Sequence, residues 1–74
     1  MELWIRSQDR ESLYKIDCLY VGGTYNNEIQ CVSGSLGKYK SKERALEVLD
    51  EIQNYISDLL DNRIVENVYE MPKE

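Results

Sequence analysis

The sequence contains no histidine, no phenylalanine, a single proline and two cysteines among its 74 residues. Without histidine, general acid–base catalysis at neutral pH loses the side chain that most often performs it. Two cysteines are too few for a disulfide scaffold, and a zinc site without histidine needs four thiolates or unusual help from carboxylates. A nucleophile elbow and a phosphate-binding loop of the GxxxxGKS kind are also missing from the sequence. We therefore expect no catalytic residues, no metal, no cofactor and no enzyme activity.

Long apolar runs and a secretory signal are absent too, so we expect a cytosolic protein that makes no contact with a membrane. The length indicates one small domain over residues 1–74. A core of this size is close to the lower limit for independent stability, and oligomerisation is a common remedy. We therefore expect a homo-oligomer.

The net charge of −5 is unevenly distributed along the chain. Residues 1–44 carry seven basic and six acidic side chains, whereas residues 45–74 carry two basic and eight acidic ones. Duplex nucleic acid needs a basic footprint that this surface lacks, so we exclude it as a partner. A small anionic ligand is compatible with the basic side chains of the first part, which are Arg6, Arg10, Lys15, Lys38, Lys40, Lys42 and Arg44.

The most regular segment runs from Ser41 to Asn62, where apolar residues recur at helical spacing. These residues fill roughly 180° of a helical wheel, and acidic residues occupy most of the other half. Ser41 suits the N-cap, and Asn62 can adopt the left-handed conformation that ends a helix. A helix that packs on one sheet needs an apolar stripe only a little wider than ~100°. The surplus predicts contact with a second element or a second subunit.

The rest of the chain is typical of strands that alternate between two faces. In the first strand, Leu3 and Ile5 alternate with Trp4 and Arg6. A turn is predicted at Gly34 to Gly37, and a short helix from Ile64 to Tyr69 competes with the last strand. We expect an α+β fold, in which a small antiparallel β-sheet packs on one long amphipathic C-terminal helix and a short final strand lies at a sheet edge, in the order β-β-β-β-α-β. The predicted strands are Met1 to Ser7, Leu13 to Val21, Glu28 to Ser33, Lys38 to Lys40 and Asn67 to Met71.

The second and third strands are predicted to form a hairpin around the loop Gly22 to Asn27. A symmetric hairpin pairs Val21 with Glu28 and Cys18 with Cys31. The two cysteines are then either buried thiols or, as the alternative, a cross-strand disulfide. The predicted core face consists of Tyr14, Ile16, Cys18, Tyr20, Ile29 and Cys31.

The opposite face of this sheet is the predicted contact surface. A solvated face does not need several large apolar side chains, and a tryptophan beside an arginine is typical of a binding hot spot. The face carries Trp4, Arg6, Leu13, Lys15, Asp17, Leu19, Val21, Glu28, Gln30 and Val32. The alternatives are a subunit contact, a ligand or foreign partner, and covering by the C-terminal segment. The predicted interface residues, with two from the helix, are Trp4, Leu19, Val21, Val32, Tyr55 and Leu60.

A ligand site is predicted from Trp4 and Arg6 together with the basic approach to the helix. Aromatic rings stack on bases, cationic groups bind phosphates, and a helix N-terminus adds backbone donors. We assign stacking to Trp4 and Tyr39, and phosphate contacts to Arg6, Lys38 and Lys40. The competing interpretation is that Tyr39 belongs to the core and that the lysines only increase solubility.

Three segments resemble small proteins encoded by phages and prophages of Gram-positive bacteria: LWIRSQDRESL at Leu3 to Leu13, LGKYKSKERALEVLDEIQ at Leu36 to Gln53, and VYEMPKE at Val68 to Glu74. The resemblance implies a phage context in the host bacterial cytosol and assigns no activity or site residue. Unrelated phage proteins sequester nucleotide immune signals, such as cyclic ADP-ribose isomers or cyclic dinucleotides. By that analogy we expect an oligomeric anti-defence protein that sequesters such a signal. The alternatives are a protein–protein interaction module without a small-molecule ligand, which inhibits or adapts a host or phage protein, and an accessory of the virion.

Overall fold

The structure is a computed structural model that describes residues 3–16 and 18–74. Among these residues it contains two three-stranded sheets and one long helix, so the α+β prediction is confirmed. The predicted strand positions Met1, Glu2 and Asp17 lie outside the described residues. The elements are β1 (Trp4–Arg6), β2 (Leu13–Lys15), β3 (Leu19–Gly22), β4 (Glu28–Cys31), β5 (Gly34–Lys38), α1 (Lys42–Leu60) and β6 (Val68–Glu70).

The first sheet has the strand order β2-β1-β6, with β2 antiparallel and β6 parallel to β1. Leu3 and Ile5 are buried, whereas Arg6 is exposed and Trp4 half-buried, so the predicted alternation of the first strand is confirmed. The final strand, β6, lies at an edge of this sheet, as predicted. Branched residues favour its extended conformation, and Pro72 stops the strand.

The second sheet has the order β3-β4-β5, and all its pairs are antiparallel. The prediction of one long strand from Leu13 to Val21 is wrong, since β2 and β3 belong to different sheets. A turn at Gly34 to Gly37 is also wrong, because β5 starts at Gly34 and runs through that segment to Lys38. The predicted strand from Lys38 to Lys40 therefore supplies only its first residue to a strand.

The register of the β3–β4 hairpin differs from the prediction by one residue. Gly22, and not Val21, pairs with Glu28, and Leu19 pairs with Cys31. Gly22 extends the strand, and left-handed conformations at Gly23 and Asn26 close the shorter loop. Because side chains alternate along a strand, a one-residue shift exchanges its two faces.

That exchange corrects several assignments on β3. Leu19 and Val21 are half-buried and pack against the core, although we expected them on the outer face. Cys18 and Tyr20 are exposed, although we expected them inside. Both Cys18 and Cys31 are free thiols, and only Cys31 is buried, so neither expectation for the pair holds.

Helix α1 begins and ends as its sequence indicates. The Ser41 hydroxyl accepts a hydrogen bond from the Arg44 backbone N–H at 3.1 Å, which confirms the N-cap. Asn62 has a φ of 58°, which confirms the left-handed stop just after the helix. The helix lies over β3 and β4. Its buried residues are Ala45, Val48 and Ile52.

Candidate functional site

An open cleft of about 710 Å³ lies where the chain leaves β5 and enters α1. We call it the helix-start cleft. Its walls come from three parts of the chain: the end of β5, the first turns of α1 and the segment after Pro72. The lining residues are Lys38, Tyr39, Lys40, Ser41, Glu43, Arg44, Glu47, Lys73 and Glu74.

Lys38 and Lys40 lie in this cleft, as the sequence predicts for phosphate contacts. Both are exposed, and neither forms an ion pair with any residue that the structure describes. Lys73 adds a third exposed ammonium group from the opposite wall. Lys42, the first residue of α1, does not line the cleft.

Arg44 is the fourth cation of the cleft, but four of its five N–H donors are already used. Its Nε and Nη2 donate to the main-chain oxygen of Glu74 at 3.0 and 2.8 Å. Its Nη1 donates to Glu47 and Glu51, each at 3.2 Å. The hydrogen bond to Glu47 raises the pKa of Arg44 against the opposing effect of desolvation, and the charge of Glu51 raises it further. Arg44 therefore ties the segment after Pro72 to α1, and the lysines remain for an anion.

Tyr39 lines the inner side of the cleft and also belongs to the core. Its side chain is 3 % exposed, and its hydroxyl donates to the Pro72 main-chain oxygen at 2.9 Å. Burial, the largest cause, raises the pKa of Tyr39 to about 12. A ring buried in this way offers almost no surface to a base, which supports the competing interpretation that Tyr39 belongs to the core.

Trp4 and Arg6 lie on the outer face of the first sheet and do not line the cleft. Trp4 is flanked across the strands by Lys15 and Val68, and Arg6 by Leu13 and Glu70. Arg6 also donates to the Arg10 main-chain oxygen at 3.3 Å. The predicted ligand residues therefore lie in two separate places. Lys38 and Lys40 line the helix-start cleft, whereas Trp4 and Arg6 lie on the outer face of the first sheet.

The predicted interface residues are also spread over several elements. Val32, in the turn after β4, and Leu60, at the end of α1, are exposed. Tyr55 is half-buried; its hydroxyl donates to the Glu66 and Val68 main-chain oxygens, and its ring meets Tyr69 edge-on at 5.1 Å between centroids. Tyr55 therefore links α1 to β6, and its hydroxyl group is already hydrogen-bonded within the chain.

Gln8 supports both walls of the cleft through its hydrogen bonds, a role that the sequence does not reveal. From the sequence alone it is one of several polar residues in a predicted turn. Its Oε1 accepts from the Lys38 backbone N–H at 2.8 Å, and its Nε2 donates to the Lys73 main-chain oxygen at 2.7 Å. Its own backbone N–H donates to the Leu36 main-chain oxygen at 2.7 Å. One side chain thus joins both lysine-bearing walls.

The acidic face of α1 does not assemble a metal site. Over the described parts of the chain, no group of three or more His, Cys, Asp or Glu side chains is arranged to hold a metal ion. A helix that is long and apolar enough to cross a membrane is likewise not found among those residues.

Comparisons with known proteins leave the geometry of the cleft and of the sheet faces as the basis for a function. No protein-family model matches the sequence, and neither the curated proteins nor the solved structures contain a significant match.

Proposed function

We propose that this protein is a small binding protein that holds a phosphate-bearing ligand in the helix-start cleft. The observation that supports this is the pair Lys38 and Lys40, two ammonium groups without ion-pair partners among the described residues, at the mouth of a cleft next to a helix N-terminus. Lysine binds phosphate as a point charge, and a helix start favours an anion.

Because the sequence resembles small phage and prophage proteins, we propose that the ligand is a nucleotide immune signal and that the protein sequesters it in the host cytosol. Retention without turnover agrees with a sequence that has no histidine. The nucleotide base needs a separate contact, because Tyr39 is buried and Trp4 lies on another face. We propose that an aromatic ring from another copy supplies that contact in an oligomer.

Ligand retention tests this proposal. The purified protein is incubated with cyclic ADP-ribose isomers and cyclic dinucleotides, separated from free nucleotide and heated, and the released nucleotide is identified by mass spectrometry. We expect the wild type to retain one of them. We expect the double variant Lys38→Gln, Lys40→Gln to lose it.

Lys42→Gln is the control, because it makes the same type of substitution at a neighbouring exposed lysine that does not line the cleft. Equal retention by the double variant and the wild type, or equal loss in Lys42→Gln, would show that the cleft is not the site. No retention of any candidate by the wild type would end the nucleotide proposal.

A protein–protein interaction module is the second candidate, and the exposed acidic face of α1 favours it. Glu43, Glu47, Asp50 and Glu51 are all exposed on this helix. Such a face suits a partner with a basic surface. Since Glu47 and Glu51 also bind Arg44, the test uses Glu43→Gln with Asp50→Asn.

Capture from host lysate distinguishes this second candidate from the first. A single stoichiometric partner that is lost in the Glu43→Gln, Asp50→Asn variant and retained in Trp4→Ala would support it. A partner lost only in Trp4→Ala would move the contact to the outer face of the first sheet. Capture of no partner, together with nucleotide retention, would favour the first candidate.

A further inference from the structure

Helix α1 carries two parallel rows of residues, each spaced alternately by three and four positions. The first row is buried or half-buried against the sheets and consists of Ala45, Val48, Ile52, Tyr55 and Leu59. The second row lies one position further along the chain and consists of Leu46, Leu49, Gln53, Ile56 and Leu60. We call this second row the outer seam. Alternating steps of three and four are the spacing by which one helix packs against another.

The outer seam is only partly covered within its own subunit. Leu46 is 42 % exposed, Gln53 and Leu60 are also exposed, and Leu49 and Ile56 are half-buried. Leu49 and Ile56 also pack partly against the core. The helix therefore buries its first row within the chain and leaves the middle and both ends of the outer seam exposed. This second seam accounts for the wide apolar arc of α1.

An apolar groove of about 350 Å³ lies directly beside the outer seam. The helix forms one wall and contributes three residues of the outer seam to it. Ile16 and Leu19, the first residue of β3, form the other wall. The lining residues are Ile16, Leu19, Leu49, Asp50, Ile52, Gln53 and Ile56. The groove places the middle of the seam, at Gln53, close to the start of β3, at Leu19.

Strand β3 is an edge strand whose outer side has no partner strand within the described part of the chain. Edge strands are usually protected by charges, proline or bulges. The segment Leu19–Gly22 contains no charged residue and no proline, and its four residues pair with β4 in continuous register. Its outer backbone groups are therefore open to another strand.

The charge distribution indicates which partner fits this edge. Residues 18–27 form the longest run without a charged side chain in a sequence whose net charge is −5. Two copies of an acidic molecule repel each other over most of their surface, and this repulsion is smallest where the contact is uncharged. The edge is thus the surface best suited to a second copy.

The outer seam is also self-complementary. Gln53 is its central residue, with Leu49 and Ile56 on either side and Leu46 and Leu60 at the ends. An antiparallel pair of helices related by a two-fold axis at Gln53 would set Leu46 against the partner's Leu60 and Leu49 against the partner's Ile56. A single polar residue in such a seam fixes its register, here by amide hydrogen bonds between the two copies of Gln53.

We propose that a second copy of this chain docks on β3 and the outer seam to form a two-fold symmetric dimer. The two β3 strands pair antiparallel and join the sheets into six strands. A two-fold axis perpendicular to the sheet keeps both helices on the same face, and α1 already lies over β3 and β4. The two seams therefore meet over the new strand pair, and the grooves of the two copies close against each other. Failure of this dimer and failure of the proposed ligand site are distinguishable, because neither β3 nor the outer seam lines the helix-start cleft.

Two leucines of similar exposure provide a matched test. Leu46, 42 % exposed, lies in the outer seam, and Leu13, 46 % exposed, lies on the outer face of the other sheet. By light scattering at high micromolar concentration, we expect the wild type and Leu13→Glu to have about twice the 8.7 kDa chain mass. We expect Leu46→Glu to have the mass of one chain and to keep its helical circular dichroism.

Cross-linking tests the register directly. In a Cys18→Ser background, Gln53→Cys is expected to form a disulfide-linked dimer on mild oxidation, whereas Asn54→Cys, at a neighbouring exposed position, is not. A monomeric wild type would overturn the proposal and leave the groove to another protein. Dissociation by Leu13→Glu but not by Leu46→Glu, or cross-linking through Asn54→Cys alone, would overturn it as well.

Discussion

Replacement of Tyr39 by phenylalanine distinguishes a core tyrosine from a ligand-stacking one through its dependence on pH. Phenylalanine keeps the ring and removes the hydroxyl that donates to the Pro72 main-chain oxygen at 2.9 Å. Loss of a hydrogen bond of this kind lowers the free energy of unfolding by about 1 kcal/mol. At neutral pH, Tyr39→Phe is therefore expected to be less stable than the wild type by that amount.

At alkaline pH the order should reverse. Burial raises the pKa of Tyr39 from 10.0 to about 12, so the folded protein holds the neutral phenol more firmly than the unfolded chain does. The resulting stability, about 2.7 kcal/mol, is fully present below pH 10.0 and is lost as the pH rises through about 12. By about pH 11 the wild type has lost about 1.4 kcal/mol, which exceeds the deficit of the variant, and above that pH Tyr39→Phe is the more stable protein.

Chemical denaturation of both proteins at a series of pH values measures this crossing. Tyr25→Phe is the control, because it makes the same substitution at a tyrosine whose side chain is 75 % exposed. A difference between Tyr39→Phe and the wild type that stays constant from neutral to alkaline pH would refute the buried, hydrogen-bonded Tyr39 described above. It would also reopen the possibility that this ring contacts a ligand.

Three further predictions test the frame of the cleft, the register of the hairpin and the two proposed contacts. Gln8→Ala removes the side-chain hydrogen bonds to Lys38 and Lys73 and should lower the free energy of unfolding by about 1–3 kcal/mol in chemical denaturation. Gln8→Glu keeps the acceptor for the Lys38 backbone N–H and should lower that free energy by less. Equal losses in the two variants would contradict the idea that the Gln8 side chain joins both walls of the cleft. Cys18 should react with a thiol reagent in the native protein and Cys31 only after unfolding, and equal native reactivity would contradict the β3–β4 register. Added salt should strengthen the dimer, because it screens the repulsion between two copies that each carry a net charge of −5. It should weaken the binding of a phosphate-bearing ligand, because it screens the attraction between phosphate and lysine. A salt effect of the same sign on dimerisation and on ligand binding would contradict one of the two proposals.

The features that were predictable from the sequence are those set by neighbours along the chain. The N-cap at Ser41 and the stop at Asn62 follow from local side-chain and backbone preferences. The inward side of β1, with Leu3 and Ile5, follows from strict alternation. The placement of Lys38 and Lys40 near the helix start follows from their distance along the chain to Ser41.

The features that were not predictable depend on distant contacts. Whether Gly22 belongs to β3 or to its loop decides which face of the strand is buried, and the buried Asn27 helps to set this by donating to the Tyr39 main-chain oxygen at 2.6 Å. Tyr39 becomes a core residue because Pro72, thirty-three positions away, accepts a hydrogen bond from its hydroxyl group through the main-chain oxygen. The division of Leu13 to Val21 between two sheets likewise depends on which strands β1 and β4 recruit.

A nuclear magnetic resonance titration of isotope-labelled protein with a cyclic dinucleotide tests whether an anion binds at the helix-start cleft. We expect saturable shifts in the backbone amide signals of residues 38–44 of the wild type, and no such shifts in the Lys38→Gln, Lys40→Gln variant. Signals that do not move, or movement confined to the Trp4 indole and the outer face of the first sheet, would contradict it.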